Sequence, residues 1–187
     1  MVERLSVATS EPVRTTLKGG IEVVARRIET PRPIPGLTAQ HEAAHVVAAS
    51  EIVEADIIPR GGALGTTRPV KMSAATAAAA GAMGYKGTGW DRFLTEYYLQ
   101  VPWNAAIDSS HAVLSGKKDL IEEVAVTLEE EKSIQQYHVE VAKKRVAEKR
   151  QGIYPVKLEI YQSGKRVRSV DTKSFHGEVV IPPYDFR

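Results

Sequence analysis

The residues from Thr38 to Val53 constrain this 187-residue chain more than any other stretch. Ala43, Ala44, Val46, Val47, Ala48, Ala49 and Ile52 make a helix here apolar on most sides, with Thr38 as its N-cap. Such a helix is stable only when other elements cover it, so the chain must supply that cover. Ser73 caps an alanine-rich helix running to about Met83, whose small side chains suit close packing against a neighbour. Asp91 to about Leu114 forms another helix, kinked or split by Pro102. After Ser115-Gly116, Lys117 to Arg150 reads as one long helical stretch. Ile121, Val124, Leu128, Ile134, Val141 and Val146 recur there mostly at three- and four-residue spacings. Its acidic start and basic end complement the helix dipole, and Gly152 stops it.

The two ends of the chain have a different character. Pro31, Pro33 and Pro35 forbid a helix before about Leu37. Ile21, Val23 and Val24 follow Gly19-Gly20, which predicts a hairpin with the glycines at its turn. Val156, Leu158 and Ile160 alternate with Lys157 and Glu159 as in a half-buried strand, and 167–170 and 178–181 read as further strands before Pro182-Pro183. A short strand is expected over 57–65, where Ile57 and Ile58 lead into glycines. The fold class is therefore α+β, mainly helical. One domain is expected, with an N-terminal extended segment (1–37), a helical core (38–150) and a C-terminal β segment (153–187). The terminal strands, 20–28 and 153–181, are expected to pair with each other or to join the small sheet of 57–65.

Composition removes several kinds of chemistry. The chain has no cysteine, which excludes disulfides, thiolate zinc fingers, iron–sulfur clusters and cysteine nucleophiles. Its 25 basic and 23 acidic residues balance too evenly to predict nucleic-acid binding. Lys143 to Arg150 and Lys165, Arg166 and Arg168 read as a solvated helix end and a charged turn. No apolar run approaches the ~18 residues of a membrane span, and 1–10 lacks a signal-peptide core. A cytoplasmic protein without a membrane partner is the expectation.

The chemistry concentrates in His41-Glu42-Ala43-Ala44-His45. Residues four apart on a helix share a face, so His41 and His45 can take two adjacent corners of a zinc tetrahedron. Glu42 sits in the neighbouring quadrant, where it can take a proton from a water at the metal without ligating it. That is the mechanical sense of the His-Glu-x-x-His pattern. A third ligand must come from elsewhere. Glu51, Glu54, Asp56, Asp91, Glu96, Asp108 and His111 form the pool. Glu51 and Glu54 lie about 9 Å or more along the same helix, too far to close one site. Asp91 opens a helix after a glycine-rich break, where the helix dipole keeps it ionised, and is the preferred third ligand. His111, His138 and His176 are scattered singly without metal-ligand spacing.

The run HEAAHVVAA (41–49) with IIPRGGALGTT (57–67) resembles the peptidase domain of the FtsH family, membrane-anchored ATP-dependent zinc proteases. GTGWD (87–91) is similar to the family's segment carrying the aspartate ligand. The resemblance covers roughly 38–150 and is tightest in 41–67. It implies zinc on His41, His45 and Asp91, and Glu42 as general base. It also implies substrate binding by backbone pairing along Ile57, Ile58, Gly61, Gly62, Ala63, Leu64 and Gly65. This chain departs from the family in carrying no nucleotide-binding loop, in having Ala44 where the family has glycine, and in placing Trp90 before Asp91. The implied activity is ATP-independent zinc metallopeptidase chemistry on peptides or unfolded protein segments. The alternative is an inactive peptidase-like adaptor domain in which Trp90 obstructs the open site. The partners expected are the peptide substrate and either further copies of the chain or a separate protein.

Overall fold

The computed structural model describes residues 3–59 and 63–181. In chain order these form β1 (Glu3–Ser6), β2 (Val13–Leu17), β3 (Ile21–Arg27), α1 (Leu37–Ala48), β4 (Ile52–Asp56) and β5 (Thr66–Pro69). Then come α2 (Ala74–Ala77), α3 (Ala79–Ala82), α4 (Gly89–Phe93), a π-helical turn (Leu94–Tyr98) and α5 (Trp103–Leu114). The chain closes with α6 (Lys118–Glu131), β6 (Ser133–Ile134), α7 (Gln136–Arg150), β7 (Pro155–Gln162), β8 (Lys165–Lys173) and β9 (Glu178–Ile181). The α+β class holds. The chain divides into two compact units, one of residues 1–31 with 147–187, the other of 32–146.

In the first unit the two chain ends build β-structure together. β2 and β3 form the expected hairpin, with Leu17 opposite Ile21 and positive φ at Gly19 and Gly20. β3 then pairs antiparallel with β7, and β7 with β8, giving a four-stranded sheet in the order β2-β3-β7-β8. β1 pairs with β9 in a second, two-stranded sheet. The alternation read from the sequence points Val156, Leu158 and Ile160 inward, where they meet Val23, Ala25, Leu5 and Val179.

In the second unit α1 is the central element, and Ala39, Ala43, Ala44, Val46 and Val47 are all buried. α6 packs along it with Ile121, Val124 and Leu128, and α2, α3 and α5 cover other sides. The alanines were read correctly as contact surface: Ala77 to Ala80 are buried, and a Cβ on Gly81 would stand 2.6 Å from the Trp103 ring.

Several boundaries differ from the expectation. α1 ends at Ala48 rather than Val53, because Ile52 to Asp56 enter an antiparallel hairpin with β5. Its N-cap is Gly36, with no side-chain cap, rather than Thr38. The alanine-rich segment is two short helices broken at Ala78, although Ser73 does cap the first, accepting from Thr76 N at 3.0 Å. Pro102 splits its helix outright and becomes the N-cap of α5. The stretch from Lys117 to Arg150 is two helices, not one. Lys132 takes a left-handed φ of 62°, and Ser133-Ile134 pair with Asp56 and Ala55 as a third strand. Burying Ile134 there competes with helix continuation and wins. Among the described residues, 57–59 and 63–65 belong to no strand and lie between β4 and β5. The β-branched strand lies just before it, and Asp56 Oδ1 accepts from Ile58 N at 3.3 Å to turn the chain.

Candidate metal centre

Two backbone carbonyls set the histidines. His41 Nδ1–H donates to Lys86 O at 3.1 Å, and His45 Nδ1–H donates to Thr76 O at 2.7 Å. A carbonyl only accepts, so each neutral ring carries its proton on Nδ1 and presents a bare Nε2. Those two Nε2 atoms lie 3.1 Å apart. Asp91 completes a triangle, its Oδ2 at 3.3 Å from His41 Nε2 and 3.5 Å from His45 Nε2. Three lone-pair atoms thus converge without a proton among them. Asp91 Oδ2 is buried and has no hydrogen-bond partner. An orphaned carboxylate oxygen facing two bare imidazole nitrogens is costly unless a cation joins them.

The triangle has zinc dimensions. Donors ~2.0–2.1 Å from a tetrahedral zinc stand about 3.3–3.4 Å apart, which the observed edges bracket. Two imidazoles and one carboxylate leave the fourth corner free, as in catalytic zinc sites. Among the described residues, these three form the one group of histidine and acidic side chains close enough to hold a metal. Without a cation a proton relieves the triangle. Burial works against protonation of His41, yet the neighbouring Asp91 carboxylate raises its pKa above the ordinary value. Burial likewise opposes ionisation of Asp91, but contact with both histidines outweighs it and holds the carboxyl at about 2.

The surrounding elements fix these groups. Ser110 Oγ on α5 donates to Ala75 O at 2.6 Å, bracing the α2 turn whose next carbonyl holds His45. Thr95 Oγ1 donates to Asp91 O at 2.7 Å and ties the π-helical turn to the ligand. Glu42 is 6% exposed, and burial pushes its pKa up. Thr67 Oγ1 on β5 donates to Glu42 Oε2 at 2.8 Å. The chain crosses this point at Gly65, where a Cβ would meet Glu42 Cγ at 2.8 Å and Asp56 O at 2.9 Å.

The structure therefore brings His41, His45 and Asp91 together, with Glu42 on the same helix. The residues expected to bind substrate fare differently. Ile57, Ile58, Ala63, Leu64 and Gly65 lie in the connection between β4 and β5, while Gly61 and Gly62 lie outside the described residues. The edge strand beside Glu42 is β5, in a sheet ordered β5-β4-β6. Trp90, expected to crowd the site, is 66% exposed with its ring 5.3 Å from Phe93. Sequence reasoning missed Thr67 and the two carbonyls. A buried glutamate needs a donor, and the hydroxyls just after the glycine-rich turn were the available signal. No helix among the described residues is long and apolar enough to cross a membrane. Compared with known proteins, the chain matches no family model and no curated sequence.

Proposed function

We propose that this protein is a zinc-dependent metallopeptidase that hydrolyses peptide bonds in peptides or unfolded protein segments, FtsH-peptidase-like but without ATP. The observation that carries the reading is the buried, unpartnered Asp91 Oδ2 facing two bare Nε2 atoms. His41, His45 and Asp91 would hold the ion. When bound, zinc supplies a Lewis acid that polarises a carbonyl and acidifies water. Glu42 takes the proton of the attacking water and returns it to the departing amine. Burial raises its pKa, which strengthens it as a proton acceptor. Thr67 keeps the carboxylate in one rotamer by occupying Oε2 and leaving Oε1 for the proton. Among the described residues β5 is an edge strand of its sheet, and its backbone groups would pair with an extended substrate, the role first expected of 57–65.

The test is hydrolysis of casein and of a quenched fluorescent peptide, with and without a chelator, beside Glu42→Gln. The expected result is cleavage that the chelator abolishes, zinc restores, and Glu42→Gln lowers about 10²–10⁴-fold with zinc still bound. Zinc-loaded wild type that cuts neither substrate would contradict the reading.

A further inference from the structure

One segment serves the metal cluster twice. Residues 84–91 run from the end of α3 into α4 and finish on Asp91, whose Oδ2 is 3.3 Å from His41 Nε2. On the way they present Lys86 O to His41 Nδ1 at 3.1 Å. The same stretch thus supplies one ligand and fixes the ring of another. A partner on the far nitrogen of a ligating histidine sets its tautomer and its aim, so the placement of Lys86 O matters to the ion.

The backbone at Gly87 decides that placement. Its φ is +88°, a region that L side chains rarely adopt. The peptide joining Lys86 to Gly87 carries the carbonyl in question, and rotation about φ of Gly87 turns it against the chain that leads on to Asp91. Space does not demand glycine here, because a Cβ at 87 would meet nothing within 4 Å. The demand is conformational alone. The segment is tied at its ends, by Tyr85 N donating to Ala80 O at 2.9 Å and Arg92 N donating to Thr88 O at 2.9 Å. Among the described residues, the bond to His41 is the one hydrogen bond of Lys86 and Gly87, and both residues are exposed. A segment so lightly tied can rearrange locally while the fold around it stays intact.

We propose that Gly87 is a positioning residue of the metal site: its left-handed backbone holds Lys86 O on His41 and Asp91 beside it in one arrangement, and so sets the affinity for zinc. The inference rests on the zinc peptidase reading for the identity of the ion. A side chain at 87 that resists positive φ lets the segment relax in the metal-free protein. Zinc must then draw it back, and the strain emerges as lost affinity rather than lost stability.

Gly164 provides the matched control. It lies in the turn between β7 and β8, has φ +76° and also has open space at its Cβ. Paired strands hold that turn, with Gln162 opposite Lys165, so strain there cannot relax without unpairing them. Zinc affinity of the full chain is measured by competition with a chromophoric chelator, and urea unfolding of the metal-free chain is measured separately. Gly87→Ala is expected to weaken zinc binding at least about tenfold and to leave the metal-free urea midpoint unchanged. Gly164→Ala is expected to do the reverse. Gly87→Asn is expected to recover much of the affinity, because asparagine tolerates positive φ better than alanine although it is larger. With cobalt in place of zinc, the visible bands of Gly87→Ala should shift, while those of Gly164→Ala should match wild type. Unchanged zinc affinity in Gly87→Ala overturns the proposal, as does a loss that merely follows a lowered urea midpoint or that asparagine deepens. Wild type that binds zinc but cuts no peptide ends the peptidase reading and leaves this assignment standing; wild type with no zinc affinity ends both.

Discussion

Thr67 Oγ1 on β5 lies 2.8 Å from Glu42 Oε2 and donates to it. A donor to a buried carboxylate contributes about 1.5–3 kcal/mol. Thr67→Val keeps the shape and removes the donor, freeing Glu42 to rotate. Hydrolysis is expected to fall about 10–100-fold in kcat with KM little changed, and Thr67→Ser to recover most of it. Equal rates for the Val and Ser variants would remove Thr67 from the account.

Gly65 packs where no side chain fits. Alanine there would place a Cβ 2.8 Å from Glu42 Cγ and 2.9 Å from both Asp56 O and Thr38 Cγ2. One of those contacts is backbone, so relief requires moving the β4–β5 connection off α1. Gly65→Ala is expected to cost about 1–3 kcal/mol in urea unfolding and to lower activity further than stability alone explains. A variant as stable and active as wild type would show that the connection shifts freely.

The extent to which the sequence disclosed this molecule follows from the range of the forces involved. The His41/His45 pair and the apolar jacket of α1 are set by helical spacing, so they were readable locally. So were the Gly19-Gly20 turn and the inward face of β7. Asp91 was preferred from a pool of carboxylates and a histidine because it follows a glycine-rich break and opens a helix. The break at Lys132 was not readable, because Ile134 leaves the helical pattern to pair across with Ala55. The displacement of the strand from 57–65 to 52–56 has the same cause: partner strands decide strand limits, and those partners lie 10 and 79 residues away at Asp56–Thr66 and Ala55–Ile134.

Arg32 anchors the stretch leading into α1. Its guanidinium meets Glu130 in two hydrogen bonds of 2.7 and 2.8 Å and also reaches Glu123, which is 3% exposed. Arg32→Ala is expected to cost about 2 kcal/mol at pH 7, less than a fully stranded buried charge because Arg145 stays 3.4 Å from Glu123. The bond to Arg32 holds the Glu130 pKa below the ordinary glutamate value. Its contribution is therefore complete above that ordinary value and fades as pH falls through the lowered one. Urea titrations at pH 7 and pH 3 should show the gap between wild type and variant shrinking with acid. A gap constant over that range would contradict the assignment.

Metal and protons compete for the same triangle. The raised pKa of His41 stabilises the metal-free fold below the ordinary histidine value of ~6.5, and that contribution is lost as pH rises through the folded value. Metal-free protein is expected to melt lower at pH 8.5 than at pH 6. Zinc should reverse the order, because its ligands must be deprotonated. At a hundredfold excess over Kd, zinc contributes about 2.7 kcal/mol, a rise on the order of 10 °C in Tm at pH 8. Affinity is expected to fall at least about tenfold between pH 7.5 and 5.5. An affinity independent of pH over this interval would exclude histidine ligation.

Zinc content decides the matter most directly. Elemental analysis of the full chain purified without chelators, then of the same preparation after zinc addition and desalting, should give one zinc per chain for wild type. Asp91→Ala should hold little or none while remaining folded by circular dichroism. Wild type that takes up no zinc under these conditions, or Asp91→Ala that retains it in full, would contradict the claim that His41, His45 and Asp91 form a metal site.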